Sequence, residues 1–158
     1  MRASVHGMRW AAALVLVAAV SGFAQHAGWL TDFEQAKKVA AEKKLPILMD
    51  FSGSDWCIWC QRLDAEVFTQ KAFRDYAQEN LVLFLADFPM RAQQPDQLRT
   101  QNRKLQSIYR VAGYPTVILT NPQGEETART GYLKGGAEAY VEHLRGLLNA
   151  KKDTAPGR

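Results

Sequence analysis

Cys57 and Cys60 are the only cysteines in the 158-residue chain. They close the run DFSGSDWCIWC, from Asp50 to Cys60, in which an apolar segment gives way to a Gly/Ser turn and then to the pair. If the segment they open is helical, residues three apart share one face, within reach of a disulfide. The unsatisfied N–H groups and positive dipole end of a helix start favour a thiolate over a thiol. A reactive sulfur with a resolving partner beside it is the chemistry of dithiol–disulfide exchange. An inert structural disulfide is the plain alternative, but so small a loop removes little entropy from the unfolded chain. A structural zinc site needs about four ligands, and there is no second cysteine pair, while His26 and His143 lie far apart. Haem attachment needs histidine after the second cysteine, where Gln61 stands. No metal is expected. No G-x-G-x-x-G or P-loop occurs either, so no nicotinamide, flavin or nucleotide cofactor is expected.

The elements that must position the pair follow from the surrounding pattern. Trp29 and Leu30 lead into a helix with a capping-box pattern at Thr31 and Glu34. Phe33, Ala36, Val39 and Ala40 form its apolar stripe. Pro46 to Phe51 is apolar on both faces except for Asp50, the pattern of a central strand covered on both sides. Asp55 suits the N-cap of the cysteine helix, which is expected to reach Phe68. Thr69 is expected to cap a further helix, Gln70 to Glu79, and Leu81 to Phe88 reads as a second buried strand. Met90 to Asn102 is the least distinctive stretch. Pro95 fits a first helical turn, with Leu98, Leu105, Ile108, Tyr109 and Ala112 on the inner face. Thr116 to Thr120 is β-branched, Asn121 to Gly124 signals a hairpin, and Glu125 to Thr130 returns as a polar edge strand with a bulge expected at Gly131. Tyr140, Val141, Leu144, Leu147 and Leu148 stripe a last helix, and Lys151 to Arg158 reads as a disordered tail. The sum is an α/β domain over residues 25–150, a mixed sheet with helices on both faces.

The first residues read as a secretory signal. Arg2 and Arg9 are basic, Trp10 to Val20 is unbroken apolar sequence, and Gly22-Phe23-Ala24 permits cleavage after Ala24. That run is shorter than the ~20 residues a membrane helix needs, although an uncleaved anchor is the alternative. Removing residues 1–24 takes away two basic residues and lowers the net charge from +4 to +2, not a nucleic-acid-binding balance. Export, to a periplasm or outside the cell, places the cysteines where disulfides persist.

An apolar strand with Asp50, then Trp56-Cys57-Ile58-Trp59-Cys60, then Gly113-Tyr114-Pro115-Thr116 entering a strand, a hairpin and a C-terminal helix resembles the thioredoxin superfamily. The resemblance spans Trp29 to about Ala150. The Gly53-Ser54 turn and the Leu63, Glu66, Val67, Phe68 run look most like exported bacterial thioredoxin-like proteins related to the reducing end of thiol:disulfide interchange systems. It implies a thioredoxin fold with Cys57 as the exposed attacking thiol and Cys60 as the resolving one. It also implies a cis-proline at Pro115, with Tyr114 on the substrate-binding surface, and Asp50 as a buried acid that moves the proton of Cys60. Trp56 and Trp59 flank the cysteines as candidate substrate contacts, with plain packing as the alternative. Two departures stand out. The turn from Asp50 to Trp56 is one residue longer than in typical thioredoxins, which bears on whether Asp50 reaches the cysteines. Ile58-Trp59 replaces their common Gly-Pro pair, so potential and direction do not carry over.

The expected function is therefore an exported thiol–disulfide oxidoreductase, in the direction of protein-disulfide reduction, recharged by a membrane thiol:disulfide donor and working as a monomer. An oxidant or isomerase on the same fold is one alternative. The other is a non-catalytic peptide-binding module that uses the Tyr114-Pro115 groove. Arg91, Arg99, Arg103 and Lys104 read as a solvated helix face, with a docking surface for an acidic partner as the second reading.

Overall fold

The computed structural model describes residues 28–154, so the expected signal at 1–24 and the last four residues lie outside it. In chain order the elements are β1 Trp29–Leu30, α1 Phe33–Lys43, β2 Ile47–Ser52, α2 Ile58–Leu63, a π-helical turn Asp64–Phe68, α3 Lys71–Asn80, β3 Val82–Asp87, α4 Asp96–Ile108, β4 Thr116–Thr120, β5 Glu126–Thr130 and α5 Gly136–Thr154. The sheet order is β1-β3-β2-β4-β5. β1 and β2 run parallel to β3, while β4 is antiparallel to both β2 and β5.

β2 is the central strand because every one of its six residues is buried. Its side chains alternate between two cores. Ile47, Met49 and Phe51 point to the face covered by α1 and α4, with Phe33, Ala36, Leu105 and Tyr109. Leu48 points to the other, with Leu63, Val67 and Phe68 of the cysteine segment, Phe73 and Ala77 of α3, and Tyr140 and Leu144 of α5. Burying each such large apolar side chain contributes roughly 1.5–3 kcal/mol. The two-layer cover is the expected α/β thioredoxin fold. Asp50, by the same alternation, faces the layer of α2, α3 and α5.

Several local expectations are corrected. Trp29 and Leu30 form a short strand paired with Leu83 and Phe84, too brief to leave a periodic signal. The cap of α1 is Asp32, not Thr31: its backbone is extended and its carboxylate accepts the Gln35 N–H. Thr69 does not cap α3, whose N-cap is Gln70; it closes the π turn instead, its hydroxyl donating to the Asp64 carbonyl. In α4, Ile108 is exposed, as is Ala112 beyond it. The inner face is rotated toward Asn102, whose amide donates to the Asp87 carbonyl at 2.9 Å. The register shift of the β4–β5 hairpin falls between Leu119 and Thr120, opposite Thr127, and not at Gly131. Gly131 instead lies against the Pro115 carbonyl, where a Cβ would stand 3.1 Å from the oxygen. α5 continues to Thr154, four residues into the stretch expected as a tail.

Candidate active site

The turn after β2 delivers the cysteines to the start of a helix. Trp56 and Cys57 both donate their N–H groups to the Gly53 carbonyl, at 3.3 and 2.8 Å. α2 therefore starts at Ile58, and its N-cap is Cys57, not Asp55. Cys57 and Cys60 form a disulfide with their Cα atoms 5.3 Å apart. The Cys60 N–H donates to Cys57 Sγ at 3.2 Å, and the Gly53 N–H to Cys60 Sγ at 3.5 Å. N–H donors aimed at a sulfur stabilise it as thiolate once the bond opens. Cys57 is the more accessible of the two, but only slightly: 6% exposed against 3%.

Asp55 is used elsewhere. Its carboxylate accepts the N–H groups of Met90, Arg91 and Ala92 at 2.9, 2.7 and 2.8 Å. Those bonds hold its pKa below the usual carboxylate range. Asp87 makes a matching tie, accepting the N–H and the hydroxyl of Ser54. The start of the stretch that reads as least distinctive in sequence is thus fastened to the cysteine turn by Asp55, while Asp87 ties the same turn to the end of β3. No sequence periodicity announces either tie.

Asp50 lies on the cysteine-helix face of β2, despite the lengthened turn. It is 4% exposed, and its Oδ1 has no hydrogen-bond partner among the described residues. Burial, and secondly the charges of Asp64 and Asp87, push its pKa up to about 8. Asp64 belongs to the π turn that continues α2, so Asp50 and the cysteine segment share one electrostatic environment.

Two aromatic walls flank the pair. On one side the Trp56 indole donates to the Phe88 carbonyl at 2.8 Å and meets Tyr114 edge-to-face at 5.7 Å. Tyr114 accepts a hydrogen bond from the Gln106 amide, and the peptide bond between it and Pro115 is cis, as the resemblance implies. On the other side Trp59 packs on Tyr132 at 5.2 Å, and the Arg62 guanidinium lies over both rings. Glu66 fixes this second wall by accepting from Arg62 Nε and from the Tyr132 hydroxyl. Trp56 and Trp59 remain 41% and 46% exposed, so each presents an apolar ring at the surface beside the disulfide. Tyr132 and Arg62 escape a sequence reading because their roles arise only when the segment after β5 meets α2. Concavities of about 830 and 580 Å³ lie at the β1 edge and beside residues 88–103, and neither is lined by Cys57 or Cys60. The cysteines sit on a ledge outside both concavities.

Comparison with known proteins agrees with this geometry. A family model described as a thioredoxin-like domain matches residues 33–145. The chain is 30% identical over 119 residues to the disulfide bond reductase DsbH of Chlamydia pneumoniae, covering 75% of this chain and 72% of that protein. A solved structure titled DsbH oxidoreductase superposes with a TM-score of 0.73 at 30% identity, covering 77% of this chain and 83% of that one. The thiol:disulfide interchange protein DsbD of Pasteurella multocida is 27% identical over 123 residues, which are 73% of this chain but only 19% of that protein.

Proposed function

The chain belongs to the thioredoxin-like family, and we propose that it serves there as an exported reductase of protein disulfides. It is a thiol–disulfide oxidoreductase with Cys57 and Cys60 as its redox pair. One observation carries the reading: the disulfide stands at the N-cap of α2, beside the Trp56–Tyr114 wall and the cis Tyr114–Pro115 bond.

In the reduced protein, the Cys57 thiolate attacks one sulfur of a substrate disulfide. A mixed disulfide forms and the other substrate sulfur leaves as a thiolate, which takes up a proton. Cys60, deprotonated in turn, attacks Cys57 Sγ, releases the second substrate thiol and leaves the Cys57–Cys60 disulfide. Two electrons pass from the protein dithiol to the substrate. Asp50 is the base for the second step: a carboxyl held near pH 8 and a thiol of ordinary pKa about 8.5 exchange a proton at little cost. Trp56, Trp59, Tyr114 and the Pro115 turn hold the substrate chain across the ledge. A membrane thiol:disulfide donor restores the dithiol, and the protein works as a monomer. The reducing direction is supported by the named activity of its 30%-identical relative. It is supported too by the sparse stabilisation of Cys57: one N–H donor among the described residues, and no cation in the Ile58-Trp59 dipeptide.

Cys57→Ser is expected to lower protein-disulfide reduction by roughly 10³-fold or more, while Cys60→Ser accumulates a trapped mixed disulfide with substrate. Turnover assays and non-reducing electrophoresis read the two results. A Cys57→Ser protein that reduces a test disulfide at the wild-type rate overturns the assignment.

A further inference from the structure

We propose that the groove between the loop 88–94 and the outer face of α4 receives an acidic polypeptide segment of the disulfide-bearing partner. The proposal rests on the oxidoreductase reading and adds a substrate class to it. The groove, about 580 Å³, is lined by Arg91, Arg99 and Arg103 and by a single carboxylate, Asp96, which pairs with Arg99. Arg91 and Arg103 are exposed, and among the described residues neither joins an ion pair. Asp55, the other acid near Arg91, feels the Arg91 charge without forming an ion pair with it, its carboxylate being engaged by the three loop N–H groups. The groove thus carries more arginines than carboxylates, and its exposed guanidiniums are open to a carboxylate-bearing chain.

Position ties the groove to the chemistry. The loop that forms its wall is held to the cysteine turn by Asp55 and by the Trp56 indole on the Phe88 carbonyl. Phe88, whose carbonyl the Trp56 indole reaches, also lines the groove, so a chain lying across Trp56 adjoins it. Met90, 75% exposed on the loop, offers an unbranched apolar surface that adapts to the aliphatic part of such a segment. Arg guanidiniums match carboxylates in a forked, two-bond geometry.

Two synthetic peptides with the same disulfide, one flanked by glutamates and one by glutamines, test this. With wild-type protein the glutamate peptide is expected to show the lower KM. The double variant Arg91→Gln/Arg103→Gln is expected to raise that KM roughly three- to tenfold, with kcat, the glutamine-peptide KM and the Cys57–Cys60 potential unchanged. Arg103→Gln alone, away from the loop, should give a smaller rise in the same KM. Binding of a disulfide-free glutamate peptide to the oxidised protein, read by tryptophan fluorescence, should weaken from 0.15 M toward 0.5 M salt, as screening demands. This binding requires no turnover. Failure to reduce either peptide overturns the oxidoreductase reading while leaving binding measurable. Equal KM values for the two peptides, or variants that shift both alike, overturn the groove.

Discussion

Asp50 keeps a buried carboxyl with an unpartnered Oδ1, and that environment has a consequence for stability as well as for proton transfer. In the unfolded chain an aspartate ionises near pH 4, whereas in the fold Asp50 holds its proton up to about pH 8. Between those values the folded state binds the extra proton, so stability falls as pH rises from about 4 to about 8 and is unaffected by this group outside that window. Asparagine keeps the shape and never ionises. Asp50→Asn is therefore expected to stabilise the protein at pH 8 by on the order of 5 kcal/mol, the four-unit shift at about 1.4 kcal/mol per unit, and to change little at pH 4. Denaturant titrations at the two pH values check it, and an equal difference at both contradicts it. The buried acid in an apolar strand was legible from sequence, and so was the dithiol. The roles of Asp55 and Asp87 were not, because each depends on backbone N–H groups or hydroxyls contributed from more than thirty residues away.

The turn from Gly53 to Trp56 is the element that sets the site, and Gly53 makes it possible by having no side chain. A Cβ there would stand 2.5 Å from Trp56 Cε2 and 2.7 Å from its Nε1. The indole covers the turn while reaching the Phe88 carbonyl, so it has no room to yield without losing that bond. Gly53→Ala is expected to cost roughly 1–3 kcal/mol and to weaken substrate binding by displacing Trp56. Thermal unfolding and the tryptophan emission spectrum register both effects; a variant with wild-type stability and spectrum contradicts this packing. Elements with a strong pattern were legible: α1, β2, β3, β4 and α5 follow from their apolar spacing. The π turn Asp64–Phe68 was not, since its composition continues the apolar pattern of α2 unbroken and only the bonds of Thr69 to the Asp64 and Val67 carbonyls mark it. Cys57 took the cap from Asp55 because Gly53 closes the turn two residues later than a cap at Asp55 requires.

At the scale of the whole molecule, a five-stranded sheet between two helical layers holds the disulfide at one end of β2, with aromatic walls supplied by loops from both sides. The mixed sheet and its two-sided cover were legible from the order and periodicity of the segments. The β1 edge and the second wall of Trp59, Arg62 and Tyr132 were not, because both arise from pairings distant in sequence. The ledge would serve an oxidant as well as a reductant, so direction depends on how far the reduced state of Cys57 is stabilised. On the proposed reading, its one N–H donor among the described residues and the uncharged dipeptide go with modest stabilisation and with a reducing pair. The equilibrium potential of Cys57–Cys60, titrated against a dithiothreitol couple, tests this directly. A value at or below about −230 mV, toward the −270 mV of thioredoxin, is the predicted result; a value near −120 mV, where the disulfide is given away, would contradict it.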